Sequence, residues 1–210
     1  MKKIAGLFLA GLMCATSVAA ASMFPGTEDA APGFVTVDGT KNNLEFHYPR
    51  MSGGKFLMRV RINSAIEREI LHWEGESVKP EDGKAWLHWF PGYTGKDAKS
   101  FILTESTYYT HAAHPTTYAK GLTFDGEGHL VTREEILKRI GTRKAADIIK
   151  LVFEQTSERN IPIFEETVMQ LTDWPKEFYI GKDGTIYFIF QQYEIAPYSS
   201  GMIEIAVGRI

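Results

Sequence analysis

The chain has 210 residues, with 23 Lys and Arg against 26 Asp and Glu, a formal charge of −3 at pH 7 and one cysteine. That length suits one good-sized domain or two small ones packed together. Mild acidity excludes nucleic-acid binding, which needs clustered positive charge, and a lone Cys14 excludes a disulfide framework or a cysteine metal set.

Met1-Lys2-Lys3 is followed by an apolar run from Ile4 to about Ala15 and then by the small residues TSVAAAS. A positive start, a short apolar middle and a small-residue end read as a secretory signal peptide over residues 1–21, cleaved after Ala20 or Ala21. The apolar middle is about a dozen residues, short of the roughly 20 that a spanning helix needs. The mature chain is therefore expected to be exported, periplasmic or extracellular at the cell envelope, with no transmembrane helix and no cysteine. Residues 22–33, SMFPGTEDAAPG, read as a flexible leader.

FVTVD (34–38) and LEFHY (44–48) alternate as strands, and Pro49 is expected to stop the second. Ile62, Ala65, Ile66, Ile70 and Trp73 recur at spacings of three and four, which predicts a helix within 56–73. The polar stretch 74–84 breaks that pattern. AWLHWF (85–90), SFILTESTYYT (100–110) and TYAKGLTFD (117–125) read as strands. Thr132 and Glu135 stand at capping-box spacing before Ile136 and Leu137, so a short helix is expected to about Arg139. A second helix follows over roughly 143–158, with Ala145, Ile148, Ile149, Val152 and Phe153 on one face. EFYIG (177–181), the turn Lys182-Asp183-Gly184 and TIYFIF (185–190) predict a hairpin, and more strand follows. The class is α+β: a mostly antiparallel sheet with helices packed on one face, and two subdomains sharing one compact body.

The segment YYTHAAHP (108–115) holds His111 and His114. It is not the zinc-protease helix HExxH, because the spacing is three, no glutamate intervenes and Pro115 keeps His114 out of the helical region. A metal-assisted hydrolase built on His111, His114 and Glu194 stays open as an alternative reading. The blander reading is a strand-exit turn in which His114 bonds backbone carbonyls or a carboxylate. No GxSxG elbow, glycine-rich phosphate loop or cofactor-binding motif occurs, so no cofactor and no catalytic residue is assigned. Tyrosines and tryptophans crowd the strands, and those at strand–turn borders suit a binding surface.

Tyr109-Thr110-His111-Ala112-Ala113-His114-Pro115-Thr116 resembles the "YTGGAHP/G" segment of the RsiV-type extracytoplasmic domain family. LTFDGEGHLVTREEIL (122–137) is similar to that family's "fD…G..ltl.dlf", and EFYIGKDGTIYFIFQQYEIAPYSSGMIEIAV (177–207) to its ending "fYl...gl.f.f..YeiapyaaG..ev.i". HYPRMSG…RINSAIEREI (47–70) is similar to the companion N-terminal domain, and the same family accompanies the peptidoglycan deacetylase PdaC. The resemblance implies a companion-like subdomain over 34–98 and an RsiV-like domain over 99–210. It implies a non-enzymatic envelope module that binds a lysozyme-like protein or peptidoglycan, without sigma-factor-binding or deacetylase parts. A purely structural envelope domain is the remaining alternative. His111 stands where family members carry glycine, whereas His114, Glu194 and Tyr198 fall on matching positions. The candidate binding residues are thus His114, Glu194, Tyr198, Tyr109 and Tyr193.

Overall fold

A computed structural model of the chain describes residues 31–41, 43–76, 82–141 and 145–210. The expected signal peptide and the leader up to residue 30 lie outside the described residues. Ala31 is buried in the main core, so the leader's end is already part of the folded body.

Eight strands form two sheets. The first has five strands in the order β1 (Phe34–Lys41), β2 (Leu44–Met51), β3 (Gly83–Pro91), β4 (Ala98–Tyr109) and β5 (Thr116–Asp125). The second has three, β6 (Glu177–Ile180), β7 (Thr185–Phe190) and β8 (Ile203–Arg209). Helix α1 (Phe56–Glu76) connects β2 to β3, which run parallel over Leu44–Phe46 and Ala85–Leu87, as a helical crossover requires. All other strand pairs are antiparallel. α2 (Arg133–Arg139), α3 (Ala145–Glu158) and α4 (Glu165–Met169) lie between β5 and β6 in sequence. The α+β class is therefore observed, but the helices divide between two sheets instead of sharing one face. The expected division at 98/99 falls at the head of β4, whose neighbours β3 and β5 belong to the same sheet; the sheets part after Asp125.

Strand alternation builds three apolar layers. Ile62, Ile66, Ile70 and Trp73 of α1 pack on Leu87, Trp89, Phe101, Leu103 and Phe124 of the first sheet. The opposite parity of the same strands, Ile102 and Ala119, meets Tyr179 and Ile189 of the second sheet. Phe178, Ile186, Phe188 and Phe190 face outward onto Ile148 and Val152 of α3. Thr132 caps α2 as its spacing implied: its hydroxyl accepts from the Glu135 N–H, and Glu135 accepts from the Thr132 N–H at 2.7 Å.

Pro49 lies inside β2 and does not end it. Beyond Phe46 the strand has β1 alone as a partner, so no β3 carbonyl needs the N–H that proline lacks.

β6 crosses β5 at close quarters. A Cβ on Gly121 would stand 1.7 Å from the Phe178 carbonyl oxygen, and one on Gly92 would stand 2.3 Å from that of Ile180. The Gly121 N–H donates to Glu177 at 3.1 Å, the Tyr93 N–H to the Ile180 carbonyl at 2.9 Å and the Ile180 N–H to Ser100 Oγ at 2.8 Å. Three carboxamides clamp strand backbone in one manner, each bonding both polar groups of a single residue. Gln191 takes Ala119 of β5 (2.9 and 2.9 Å), Gln155 takes Ala206 of β8 (2.9 and 2.8 Å), and Asn63 takes Met51 of β2 (2.8 and 3.0 Å). These groups have no ladder partner, and burying them unpaired would cost about 1–3 kcal/mol each.

Candidate functional site

The turn joining β4 to β5 carries both sequence-singled histidines. His111 adopts φ +69° in the left-handed region, and its side chain is exposed. His114, before Pro115, returns the chain to β5 and leans against the segment that follows β7. That segment is positioned from both sides. Gln191–Glu194 forms a closed turn, in which the Gln191 N–H donates to the Glu194 carboxylate at 2.7 Å and the Glu194 N–H to the Gln191 carbonyl at 3.1 Å. Ile195 and Ala196 are then sunk in the second-sheet core, and Tyr198 begins a short 3-10 turn, Tyr198–Ser200.

This brings His114, Tyr193 and Tyr198 together. The His114 and Tyr198 rings stack, with centroids 3.6 Å apart and planes 20° apart. Tyr193 closes the group at 6.1 Å from His114 and 5.9 Å from Tyr198. His114 Nδ1 lies 3.0 Å from the Pro115 carbonyl, which only accepts, so Nδ1 carries the proton. In the neutral ring Nε2 is then an acceptor, and the Tyr193 hydroxyl, 3.1 Å away, donates to it. Tyr193 is 54% exposed and holds φ +64°, a left-handed conformation that costs a non-glycine residue roughly 1–2 kcal/mol.

Of the other sequence-picked residues, Glu194 is adjacent but turns its carboxylate back on Gln191. Surrounding protein pushes that carboxyl up from its usual range, while the Gln191 amide and Lys176 draw it down. Tyr109 is exposed at the end of β4 and does not join the stack. The set His111, His114 and Glu194 is not assembled for a metal: both His114 nitrogens are engaged, and among the described residues no group of three His, Cys, Asp or Glu has such a geometry.

A second cluster escaped the sequence reading. Glu204 of β8, Tyr179 of β6, Tyr187 of β7, Gln155 of α3 and Arg159 just beyond its end line a pocket of about 330 Å³. Tyr179 and Tyr187 stack at 5.2 Å, and Glu204 Oε1 is buried with no hydrogen-bond partner. Burial raises the Glu204 pKa, against the pull of the Tyr179 hydroxyl and Arg159. The sequence carried no signal for it, because Glu204 alternates with the apolar Ile203, Ile205 and Val207 and so reads as outward-facing. A raised folded-state pKa means the folded state binds the proton more tightly than the unfolded chain does. Glu204 thus supports the fold below the unfolded carboxylate value and loses that support as pH rises through the folded one. Glu204→Gln is expected to raise stability at pH 8 and to leave it nearly unchanged at pH 4. Denaturant midpoints at the two pH values check this, and equal shifts at both would refute it. Glu177 and Glu194, raised in the same direction by burial, keep part of the slope in the variant.

Fold and side-chain placement together define a layered α+β protein with a half-buried His–Tyr–Tyr cluster, Tyr193 outermost, where its two sheets meet. Residues 134–209 carry a DUF3298 domain, described as a protein of unknown function. That span holds Tyr193, Glu194 and Tyr198 but not the His114 turn. The chain is similar to the crystal structure of a DUF3298 family protein from Pseudomonas aeruginosa PAO1, with 10% identity, a TM-score of 0.53, and coverage of 83% of this chain and 88% of that one. It is also similar to the structure of a DUF3298 family member from Bacteroides fragilis NCTC 9343, with 14% identity, a TM-score of 0.50 and the same coverage, 83% and 88%. At such identities the likeness is one of fold, and it extends well beyond the domain span to take in the five-stranded sheet. No curated protein matches the chain.

Proposed function

We propose that the chain is an exported binding module of the cell envelope, and that His114, Tyr193 and Tyr198 form the surface that meets its partner. One observation carries this reading: an aromatic trio is held rigid at the surface, at the expense of a strained Tyr193 backbone. Rings ordered before binding lose little entropy on binding, and tyrosines offer both a stacking face and a hydroxyl. The signal-like start of the sequence supports a partner outside the cytoplasm. Peptidoglycan glycan fits a stacking surface, and a lysozyme-like protein fits an aromatic anchor.

Cosedimentation with insoluble peptidoglycan and titration with lysozyme test the reading. Tyr193→Ala and Tyr198→Ala are each expected to weaken whichever binding is found by about tenfold or more, the cost of losing a hot-spot aromatic. Binding of neither probe, or equal binding by wild type and both variants, would remove the proposal in favour of a structural role for the cluster.

A further inference from the structure

The buried stripe of α1 leaves its opposite face unused. On that face Leu57, Val60 and Leu71 are 62%, 44% and 63% exposed, and Ser64 lies between them. The spacing is that of a second helical stripe, three and four residues at a time. Beside it runs a groove of about 610 Å³ between α1 and Gly128–Leu130. Leu130, on the far wall, is 49% exposed. Three large aliphatic side chains on one helix face are more than scattered surface apolarity.

We propose that this face is the contact between two copies of the chain, paired antiparallel across a two-fold axis at Ser64. A two-fold interface sets residue i against residue j and j against i. Centred on Ser64, that rule sets Leu57 against Leu71 of the second copy and Val60 against Arg68, whose aliphatic stem covers it. It also sets Arg61 against Glu67, twice, with opposite charges in register. The crossing point holds the small Ser64, which lets two helices approach closely. The complementarity is between the face and its own reverse, which is what a second copy offers.

Sedimentation equilibrium of the purified chain tests the pairing. Wild type is expected to show a concentration-dependent dimer. Arg61→Glu places glutamate against Glu67 at two points, and the dimer is expected to weaken at least tenfold. Adding Glu67→Arg to that variant restores opposite charges and is expected to bring the dissociation constant back within about threefold. Leu71→Lys is expected to abolish the dimer. All three substituted positions are exposed, so unchanged thermal melting of the Leu71→Lys variant separates lost pairing from lost folding. A wild type that stays monomeric, or a double variant as weak as the single one, overturns the proposal.

Discussion

Gly121→Ala is expected to be among the most damaging single substitutions in this protein, at about 3–5 kcal/mol. The added methyl carbon would fall 1.7 Å from the Phe178 carbonyl oxygen and 2.6 Å from its carbon. Both atoms are backbone, so no rotamer change makes room. β5 and β6 must separate, and that strains the Gly121–Glu177 bond, the Ile180–Ser100 bond and the Gln191 clamp on Ala119 together. Gly53→Ala is the matched control: its Cβ meets only Gly33 Cα, at 3.5 Å, an ordinary contact. Urea denaturation of both variants makes the comparison, and a Gly121→Ala protein within about 1 kcal/mol of wild type would mean the sheets do not cross this closely.

Phe101→Ala is the second large effect, expected at about 3–5 kcal/mol. Phe101 is 1% exposed and sits on β4, between β3 and β5, in the layer that packs on α1. Its ring meets Phe34 at 5.7 Å, Phe124 at 5.8 Å and Trp89 at 6.3 Å, with edge-on geometry to Phe34 and Trp89. Three rigid neighbours fastened to three other strands relax little into the space left behind, so the cavity term is added almost whole to the transfer term. Phe101→Leu keeps most of the volume and is expected to lose no more than about 1.5 kcal/mol. A lower midpoint with an unchanged denaturant slope is the signature of lost packing. If alanine and leucine cost the same, the cavity account is wrong.

Local grammar made much of this fold legible. The α1 stripe, the Thr132–Glu135 box and the Asp183–Gly184 turn each depend on residues within one turn of one another, and each formed where its spacing placed it. In the hairpin, Asp183 accepts from the Thr185 N–H at 3.0 Å and Gly184 takes the left-handed φ of +84°. What stayed hidden depends on residues far apart in the chain. β2 and β3 pair in parallel because a whole helix lies between them, and the two sheets separate because β6 stacks on β5 rather than extending the ladder. Pro49 reads as a stop only to a reader who cannot see that β3 has already left the neighbouring edge.

The site divides in the same way. His114 and Tyr198 stand on positions that match the resembled family and Tyr193 stands at a strand–turn border, and the three do meet. Glu194 and Tyr109 had the same credentials, yet one bonds its own turn and the other stands apart. Nothing in the letters distinguishes them, since what decides is the left-handed bend at Tyr193 and the burial of Ile195 and Ala196. Glu204 was invisible because one glutamate in an alternating strand reads as an outward-facing residue. The inward side proved to be doubled, with α3 on one face of the second sheet and the first sheet on the other.

The carboxamide clamps have a consequence for how the protein meets other chains. β5 and β8 are the outermost strands of their sheets, and their free N–H and C=O groups are what a stray strand from another molecule would pair with. Gln191 and Gln155 occupy those groups at Ala119 and Ala206 from within the same molecule. Charged or proline-rich edges are a more familiar defence; here a neutral amide mimics a missing strand one residue at a time. The fold is thereby guarded against edge-to-edge aggregation at two positions on its outermost strands.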